Sequence, residues 1–539
     1  MAKVFRVAKD HLTKMNADPQ YQLRSGDCAL GQSLQHNSTV TRTGHTVELC
    51  DPAVARCFDD PATKALAAAS CPGECPLDEG DRTDLVGFHA PTVADNIREE
   101  YVCGRTASEH DLHQTSGIAT MIAENDPWGK NETGDANRLE VLAAEFDCST
   151  IRIGPAAWDS VVVPGTGLLA RCPNYPKAAL PISGRVANGC GLDEERCRLS
   201  GLGEAVELAS CCAWGDEVLI RARIDDLPPG TIGPREAMGF SPAQIRARAV
   251  WNRRYDLYDW RPPAYRGAEV DWIVGTDAVN GAAVLLPADG VLIGLREAGD
   301  KVATAVADSN GCAAGATKAQ AMEAALLELV ERDATGRWWY GRRLRPSLPA
   351  TLLDKWPELT RWLDGRTRLT RLLDLTTEIG IPVVAAVSTA SNGSVPALGF
   401  AAQFEMVEAA GAAVAEMLGV EASLLSTAEQ PDPLTAEWLA RSPAALPPSG
   451  PEATDARTKT PAEPDTRLAA AIGALDRAGC RIVFVDLTRP ALGVPVIRAM
   501  APDLCHYKPR FGYHRLLAPD LHDLAPVSSI RPNPVPLLL

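Results

Sequence analysis

From about residue 151 onward, the hydrophobic positions of the chain follow two patterns in turn. Short runs rich in β-branched and other apolar residues, such as "VDWIVGTDAVNGAAVLLPA" (270–288), alternate with longer segments whose apolar residues recur every three or four positions. The first pattern is typical of buried strands and the second of amphipathic helices. Their alternation predicts a mixed α/β fold, of the α+β kind, for residues 151–539.

Residues 1–150 follow neither pattern for long and are rich in Asp, Cys, Thr and Asn. We treat them as a separate N-terminal region that could dock a partner protein. Six of the 15 cysteines lie in the first 110 residues, and Cys71 and Cys75 flank a turn. Their spacing is not that of common zinc sites, so we expect scattered reduced thiols and keep a zinc site as the alternative.

A second change of composition lies within the α/β part. Residues 427–467 are rich in proline and charge, which predicts a mobile insertion, with a short helix around Trp438. The rest of this part contains repeated units. The segments "LDLTTEIGIPVV" (373–384) and "VDLTRPALGVPVIR" (485–498) share Asp-Leu-Thr followed by Gly-x-Pro-Val. An internal duplication is the simplest explanation.

Helices with spaced glutamates also recur, at "SGLGEAVEL" (200–208), "LLELVER" (326–332) and, more weakly, "GAAVAEML" (411–418). Residues spaced by three, four or seven positions lie on one line of a helix. Burying such carboxylates is unfavourable unless a cation or dense hydrogen bonding compensates, and four of them suit a hard divalent ion. A solvated face is the alternative for each pair alone. The two clearest stripes are Ser200, Glu204 and Glu207, and Glu328, Glu331 and Arg332.

A polar turn, Ser309-Asn310-Gly311, leads through Gly315 into the second acidic helix. Small residues let backbone N–H groups approach an anion, and a helix N-terminus adds positive potential. The turn therefore predicts a phosphate site beside the metal site. The chain has no G-x-x-x-x-G-K-[ST] motif, and prolines surround the dinucleotide-like "GTGLLA" (165–170), which we assign to a loop.

Composition narrows the functional classes. The net charge of −16 argues against a general affinity for nucleic acid or anionic membranes. The N-terminal "MAKVFRVAKDHLTKMNADPQ" lacks the apolar core of a signal peptide, and "AAGAAVAEMLGVEASLLS" (409–426) contains glutamates that argue against a membrane-spanning segment. We expect a cytoplasmic protein that contacts neither nucleic acid nor membrane.

These motifs resemble those of the YcaO family of ATP-dependent peptide-modifying enzymes. The resemblance is carried by "GCGLDEERCRLSGLGEAVEL" (189–208), "SNGCAAGATKAQAMEAALLELVERDA" (309–334) and "VDLTRPALGVPVIRAMAPDL" (485–504), and it extends over roughly residues 150–539. It implies ATP and Mg²⁺ as cofactors. It further implies that Glu204, Glu207, Glu328 and Glu331 bind magnesium, and that Ser200, Gln320 and Arg332 contact the nucleotide.

The chain departs from the family pattern at Gln320, Ala316, Leu208 and Cys190, where members usually have Glu, Asn, Arg and Lys. Its end, "RPNPVPLLL", resembles the Pro-x-Pro-x-Pro tail that reaches the active site of azoline-forming members, with three leucines added. The resemblance thus implies catalytic positions at Pro532, Pro534 and Pro536 and a proton acceptor at the carboxylate of Leu539. A disordered tail is the alternative.

The function that the resemblance implies is an ATP-dependent cyclodehydratase in bacteriocin-like natural-product biosynthesis. It would convert Cys, Ser or Thr of a ribosomal precursor peptide to thiazoline or oxazoline rings. The implied partners are the peptide, a leader-binding protein resembling ubiquitin-activating enzymes, a flavin-dependent dehydrogenase and a second copy of the chain within a larger synthetase complex. The alternatives are peptide thioamidation and a nucleotide-binding scaffold without turnover.

Overall fold

The computed structural model describes residues 139, 142–155, 157–164, 186–296, 299, 302–453, 466–520, 523–525 and 532–538. The predictions for residues 1–138, including the zinc alternative, lie outside these ranges. So do those for "GTGLLA" and for Leu539. The boundary near residue 150 therefore stays a prediction, although the first described strand begins shortly before it, at Phe146.

Fourteen strands in the described ranges form three sheets, with the orders β1-β2-β3, β4-β5-β13-β14-β7 and β11-β10-β9-β8-β12, and with β6 beside β5. Neighbours are antiparallel except β8 and β12. The strands are β1 (Phe146–Gly154), β2 (Ala157–Pro164), β3 (Ala187–Gly191), β4 (Ile220–Ala222), β5 (Val270–Asp277), β6 (Ala283–Pro287), β7 (Cys312–Ala314), β8 (Arg345–Leu348), β9 (Leu369–Asp374), β10 (Val383–Thr389), β11 (Ala397–Ala402), β12 (Ser449–Glu452), β13 (Val483–Asp486) and β14 (Val496–Met500).

Helices complete the layers and confirm the mixed α/β fold class. They are α1 (Glu194–Cys211), α2 (Pro234–Met238), α3 (Pro242–Arg246), α4 (Arg248–Asp259), α5 (Lys318–Gly341), α6 (Pro357–Gly365), α7 (Met406–Thr427), α8 (Pro433–Ala445) and α9 (Arg467–Arg477).

Three of these helices connect the sheets in a ring. α1 packs on the first and second sheets, α5 on the second and third, and α7 on the third and first. Each follows a strand of a sheet on which it packs: β3 precedes α1, β7 precedes α5 and β11 precedes α7. These are the three helices in which the sequence shows spaced glutamates, so the predicted strand and helix units are present.

The duplicated Asp-Leu-Thr segments form equivalent turns between antiparallel strands, β9 to β10 and β13 to β14. In both turns the Asp Oδ1 accepts a hydrogen bond from the Thr N–H two residues later at 2.9 Å, and the Thr hydroxyl accepts the N–H of the returning strand at 3.2 Å. The shared geometry supports an internal duplication. The Asp and Thr pairs are Asp374 with Thr376 and Asp486 with Thr488.

The Pro-rich segment is more ordered than we predicted. The expected helix is present as α8, and Trp438 on it is only 2% exposed, donating from its indole N–H to the Pro396 carbonyl at 2.9 Å. β12 then pairs with β8. The prediction of a mobile insertion is therefore wrong for residues 433–453, because a buried tryptophan and a strand pairing hold them to the core.

The apolar composition of α7 also has a structural reason. By length and composition it is long and apolar enough to cross a membrane, the one such helix among the described residues, contrary to our expectation that its glutamates argue against this. Most of its apolar window is buried against two sheets, as in the core helix of a folded domain.

Candidate functional site

A cavity of about 860 Å³ lies among α1, α5 and α7. Five of the residues predicted for the site line it, which shows that the two acidic stripes face one another. They are Ser200, Glu204, Glu207, Glu328 and Arg332. Glu331 adjoins this wall through its ion pair with Arg332, whose Nη1 lies 3.1 Å from Glu331 Oε1.

Each of the three helices has a glutamate held by a backbone N–H of the preceding strand or turn. Glu204 accepts from Asn188 beside α1, and Glu328 accepts from Gly311 beside α5. On α7, Glu416 accepts from Phe400 at 2.6 Å, and it also lines the cavity. The repeated strand and helix unit therefore turns one carboxylate of each copy toward the same space.

Arg332 is the cation at the centre of this cluster. Its Nε lies 3.5 Å from Glu328 Oε1, and its guanidinium lies 5.0 Å from the centre of the Tyr507 ring. Within the described residues, its buried Nε and Nη1 make no hydrogen bond despite these ion pairs. Guanidinium N–H groups without an acceptor suit the oxygens of a phosphate.

The carboxylates around Arg332 are held at unusual pKa values. Burial is the main cause, and repulsion from neighbouring glutamates adds to it. The pKa of Glu204 rises to about 7 and that of Glu331 to about 8. The pKa values of Glu207, Glu328 and Glu416 are raised as well. Burial thus opposes ionisation of these carboxylates, which outnumber Arg332, and a divalent cation would stabilise their charged forms.

The donor set fits magnesium held jointly with phosphate. In the described part of the chain, no three Asp, Glu, His or Cys side chains converge tightly enough to hold a metal ion on their own. Magnesium binds with one or two carboxylates and completes its octahedron with water and substrate phosphates. The residues that would hold it are Glu204, Glu207 and Glu328, which line the cavity, and Glu331 beside them, while Arg332, ion-paired with two of these glutamates but without a hydrogen bond at Nε and Nη1, could donate to the phosphates.

The glycine-containing turn before α5 lies beside this cluster, but its backbone N–H groups are not arranged to bind an anion as we predicted. Ser309 and Gly315 line the cavity. The Gly315 N–H, however, donates to the Pro495 carbonyl at 3.0 Å, and the Gly311 N–H is bound to Glu328. These two amides are therefore not free for an anion. Gly315 is required for packing, since a Cβ there would lie 2.5 Å from the Ala321 nitrogen.

Gln320 is exposed in the first turn of α5 and is not among the residues that line the cavity. Its backbone N–H is capped by the Thr317 hydroxyl at 3.2 Å. Its predicted nucleotide contact stays a prediction.

The Pro-x-Pro-x-Pro tail is held against the far end of α5, so the disordered alternative is wrong for residues 532–538. The Trp339 indole N–H donates to the Val535 carbonyl at 2.8 Å, and the Tyr258 hydroxyl donates to the Leu537 carbonyl at 2.7 Å. The three prolines do not line the cavity. Lys508 links the two regions, because its Nζ is 5.9 Å from the centre of the Tyr258 ring, whose hydroxyl binds the tail, and 5.7 Å from that of Tyr507, which lines the cavity. Pro532, Pro534 and Pro536 therefore do not enter the cavity.

Sequence reasoning missed several residues of the cavity. Glu416 was found only as a weak member of the repeat. Its position on a helix that follows a strand, β11, as in the other two units, was the signal that could have identified it as a site residue. Asp159, Cys190 and Tyr507 also line the cavity. No local pattern marks Asp159 or Tyr507, because they lie outside the acidic helices, and Cys190 was identified only as a departure from the family pattern.

Comparison with known proteins agrees with this geometry. A family model described as a YcaO cyclodehydratase that binds ATP and Mg²⁺ matches residues 188–505, more than half of the chain. A solved heterocyclase in complex with substrate and cofactor is 25% identical, with a TM-score of 0.60 over 71% of this chain and 53% of its own. The heterocyclase TruD is 28% identical, with a TM-score of 0.54 over 64% of this chain and 51% of its own.

A curated relative, described as an uncharacterised protein in the tfuA 3′ region of Rhizobium leguminosarum bv. trifolii, is 29% identical over 216 residues. The match covers 38% of this chain and 46% of the relative. The chain thus spans about half the length of the relatives that it matches.

Proposed function

The chain belongs to the YcaO family, and from this premise we propose that it is an ATP-dependent cyclodehydratase of ribosomally made peptides. The family binds ATP and Mg²⁺, which confirms the predicted cofactors. The observation that carries the proposal is the excess of carboxylates around Arg332, whose buried N–H groups have no hydrogen-bond acceptor in the described residues. The two heterocyclase relatives support the reaction class.

The acidic and basic residues of the site have different roles in this proposal. Glu204, Glu207, Glu328 and Glu331 would hold the magnesium, which would neutralise charge on the phosphates when bound. Arg332 donates to phosphate oxygens and is kept in place by Glu328 and Glu331. In phosphoryl transfer the protein contributes mainly positioning and electrostatic stabilisation, and this arrangement supplies both.

In the proposed reaction, a Cys, Ser or Thr side chain of the peptide bonds through its sulfur or oxygen to the preceding carbonyl carbon. The former amide oxygen takes the γ-phosphoryl group of ATP, which releases ADP, and then leaves as phosphate; the side-chain S–H or O–H and the amide N–H each lose a proton, and a thiazoline or oxazoline ring remains. The proposed proton acceptor is the carboxylate of Leu539, which requires the tail to approach the peptide.

The partners of this reaction are part of the proposal. They are a precursor peptide, a leader-binding protein resembling ubiquitin-activating enzymes, a flavin-dependent dehydrogenase and a second copy of the chain, all in the cytoplasm. The heterocyclase relative that is in complex with substrate and cofactor supports a substrate that binds directly to this fold.

The test incubates the full chain with Mg²⁺, ATP and a Cys/Ser/Thr-rich precursor peptide and leader-binding protein from neighbouring genes, and follows the peptide by mass spectrometry. We expect loss of one water per ring together with ADP and phosphate. Replacement of an oxygen by sulfur would instead indicate thioamidation. Nucleotide binding without ADP formation, in the presence of peptide and partner, would indicate a scaffold. Glu328→Gln is the inactive control.

A further inference from the structure

A buried carboxylate lines the cavity apart from the glutamate helices. Asp159 on β2 is 8% exposed and faces the cavity. Its side-chain contact is the Cys190 thiol, with Sγ 3.8 Å from Asp159 Oδ1, and no Lys, Arg or His among the described residues pairs with it. Burial raises the pKa of Asp159 to about 6. A buried carboxylate without a cation needs hydrogen-bond donors, and among the described residues this one has the weakly donating Cys190 thiol and the Ser160 backbone N–H, which leaves acceptor capacity for a ligand.

The orientation of Asp159 follows from the sheet. β2 and β3 pair Asp159 with Cys190 and Val161 with Asn188, and all four line the cavity. Because side chains alternate along a strand, Ser160 faces the other way, where its hydroxyl donates to a carbonyl of α1. The first sheet therefore presents a small face to the cavity with one carboxylate at its centre.

The wall across from this face is the C-terminal half of α7. Gly419 lets α7 approach closely, since a Cβ there would lie 2.6 Å from Cys190 Sγ. Beyond it, Val420 and three hydroxyl-bearing residues line the cavity. The C-terminal end of α7 is thus apolar and hydroxyl-bearing, whereas Arg332 and Glu328 line the cavity from α5; Glu204, bound to Asn188, and Glu416 lie between these two regions. The three hydroxyl-bearing residues are Ser423, Ser426 and Thr427.

We propose that Asp159 accepts a hydrogen bond from the nucleoside part of the bound nucleotide, either from a ribose hydroxyl or from the exocyclic amine of the base. A carboxylate repels phosphate oxygens but binds a neutral donor, so the phosphates lie toward Arg332 and the nucleoside lies against β2, β3 and α7. The inference rests on the proposed function, because it takes ATP as the occupant of the cavity.

The test measures binding to the full chain by calorimetry, with Mg²⁺ and two probes: a non-hydrolysable ATP analogue and inorganic tripolyphosphate. We expect Asp159→Asn to weaken binding of the ATP analogue about tenfold to a hundredfold and to leave the affinity for tripolyphosphate within about twofold. Glu328→Gln should weaken binding of both probes. Asp147→Asn, which removes an exposed carboxylate from β1 of the same sheet, should change neither.

A second measurement uses the unmodified protein and identifies the donor. The affinities of ATP, 2′-deoxy-ATP, 3′-deoxy-ATP and ITP are compared, and the analogue that lacks the donor should bind about tenfold more weakly. Equal affinities for all four nucleotides would overturn the inference, as would an Asp159→Asn variant that weakens both probes equally or neither. Failure of the unmodified chain to bind any nucleotide would refute the proposed function, and the inference with it.

Discussion

The buried charges of α5 form two sets, here called its two halves, that are buried in opposite ways: Glu328, Glu331 and Arg332 in the first, Asp333 and Arg337 in the second. In the first half, Glu328 lines the cavity and Glu331 adjoins its wall, carboxylates outnumber cations around Arg332, and burial raises the pKa values of both glutamates. In the second half, Asp333 accepts from Arg515 at 2.7 Å and from the Cys505 N–H at 2.9 Å. Although burial acts on Asp333 as well, Arg515 and Arg337 hold its pKa below the ordinary value.

The second half belongs to a network with equal numbers of buried or half-buried cations and carboxylates. Arg337, for example, reaches Glu378 at 2.8 Å and Asp520 at 3.2 Å. Its members are Arg337, Arg343, Arg345 and Arg515 with Asp333, Glu378, Asp520 and Asp523.

The contrast separates buried charge that serves the fold from buried charge that serves a ligand. Arg332 and Asp333 are neighbours in sequence, yet the first has N–H groups without an acceptor among the described residues and the second has its oxygens bound. A network with as many cations as carboxylates needs no ligand for charge balance, although buried N–H groups of Arg337 and Arg345 also lack a hydrogen-bond acceptor among the described residues. An unbalanced one is completed only by an external ion, so the imbalance is the sign of the functional half.

The largest effect is expected from breaking the unbalanced half. Glu328→Gln or Glu331→Gln should reduce peptide cyclisation by a factor of about 100 or more, because each removes a charge that holds magnesium and phosphate. The melting temperature should not fall, since the change relieves repulsion and opens no cavity. Mass spectrometry of the peptide measures the rate, and a variant that cyclises at the wild-type rate would refute the metal assignment.

Breaking the balanced half should lower the stability of the fold and leave ligand binding nearly unchanged. Asp333→Asn should destabilise the fold by about 3–5 kcal/mol, because it leaves Arg515 and Arg337 buried with too few partners. Denaturant unfolding of the full chain measures this, with the exposed Glu358→Gln as control. The affinity of the folded fraction for the ATP analogue should stay near the wild-type value. A loss of stability below about 1 kcal/mol would contradict the distinction between the two halves.

The tail offers a third test. It is bound near the end of α5 that carries the balanced network, yet it is proposed to act at the cavity beside Glu328. Deleting residues 532–539 should strongly reduce cyclisation while changing ATP affinity much less, since the phosphate and magnesium ligands lie elsewhere. Leu537 is fully buried, so the deletion also removes about 1.5–3 kcal/mol of burial there. Tyr258→Phe removes only the hydroxyl that donates to the Leu537 carbonyl, and its effect should be smaller. Full activity after the deletion would leave the tail a purely structural role.

The smallest expected effect is a dependence on pH. The pKa values of Glu204 and Glu331, about 7 and about 8, lie above the ordinary value of 4.5, so the folded state binds protons that the unfolded state releases. Stability without magnesium should therefore fall as pH rises toward about 8 and level off above it. Magnesium competes with these protons, so it should raise the melting temperature more at about pH 8.5 than at about pH 6. An equal shift at both values would argue against magnesium at these carboxylates.

The sequence by itself determined the features that depend on neighbours along the chain. The alternation of strand and helix patterns, the Asp-Leu-Thr turns and the two acidic stripes all follow from local periodicity, and the structure contains them all. The stripes could be found because Glu204 and Glu207, or Glu328 and Glu331, must share a helix face once the helix forms.

Only the tertiary structure decided which of these faces meet and what else joins them. Glu416 and Asp159 line the cavity because α7 packs against the first sheet. The Gly315 N–H is not free for an anion because it donates to the carbonyl of Pro495, which is distant in sequence. The same holds for the tail, which Trp339 and Tyr258 hold away from the cavity wall. Periodicity records which side of an element is buried but not which distant element covers it, since that choice depends on the packing of three sheets at once.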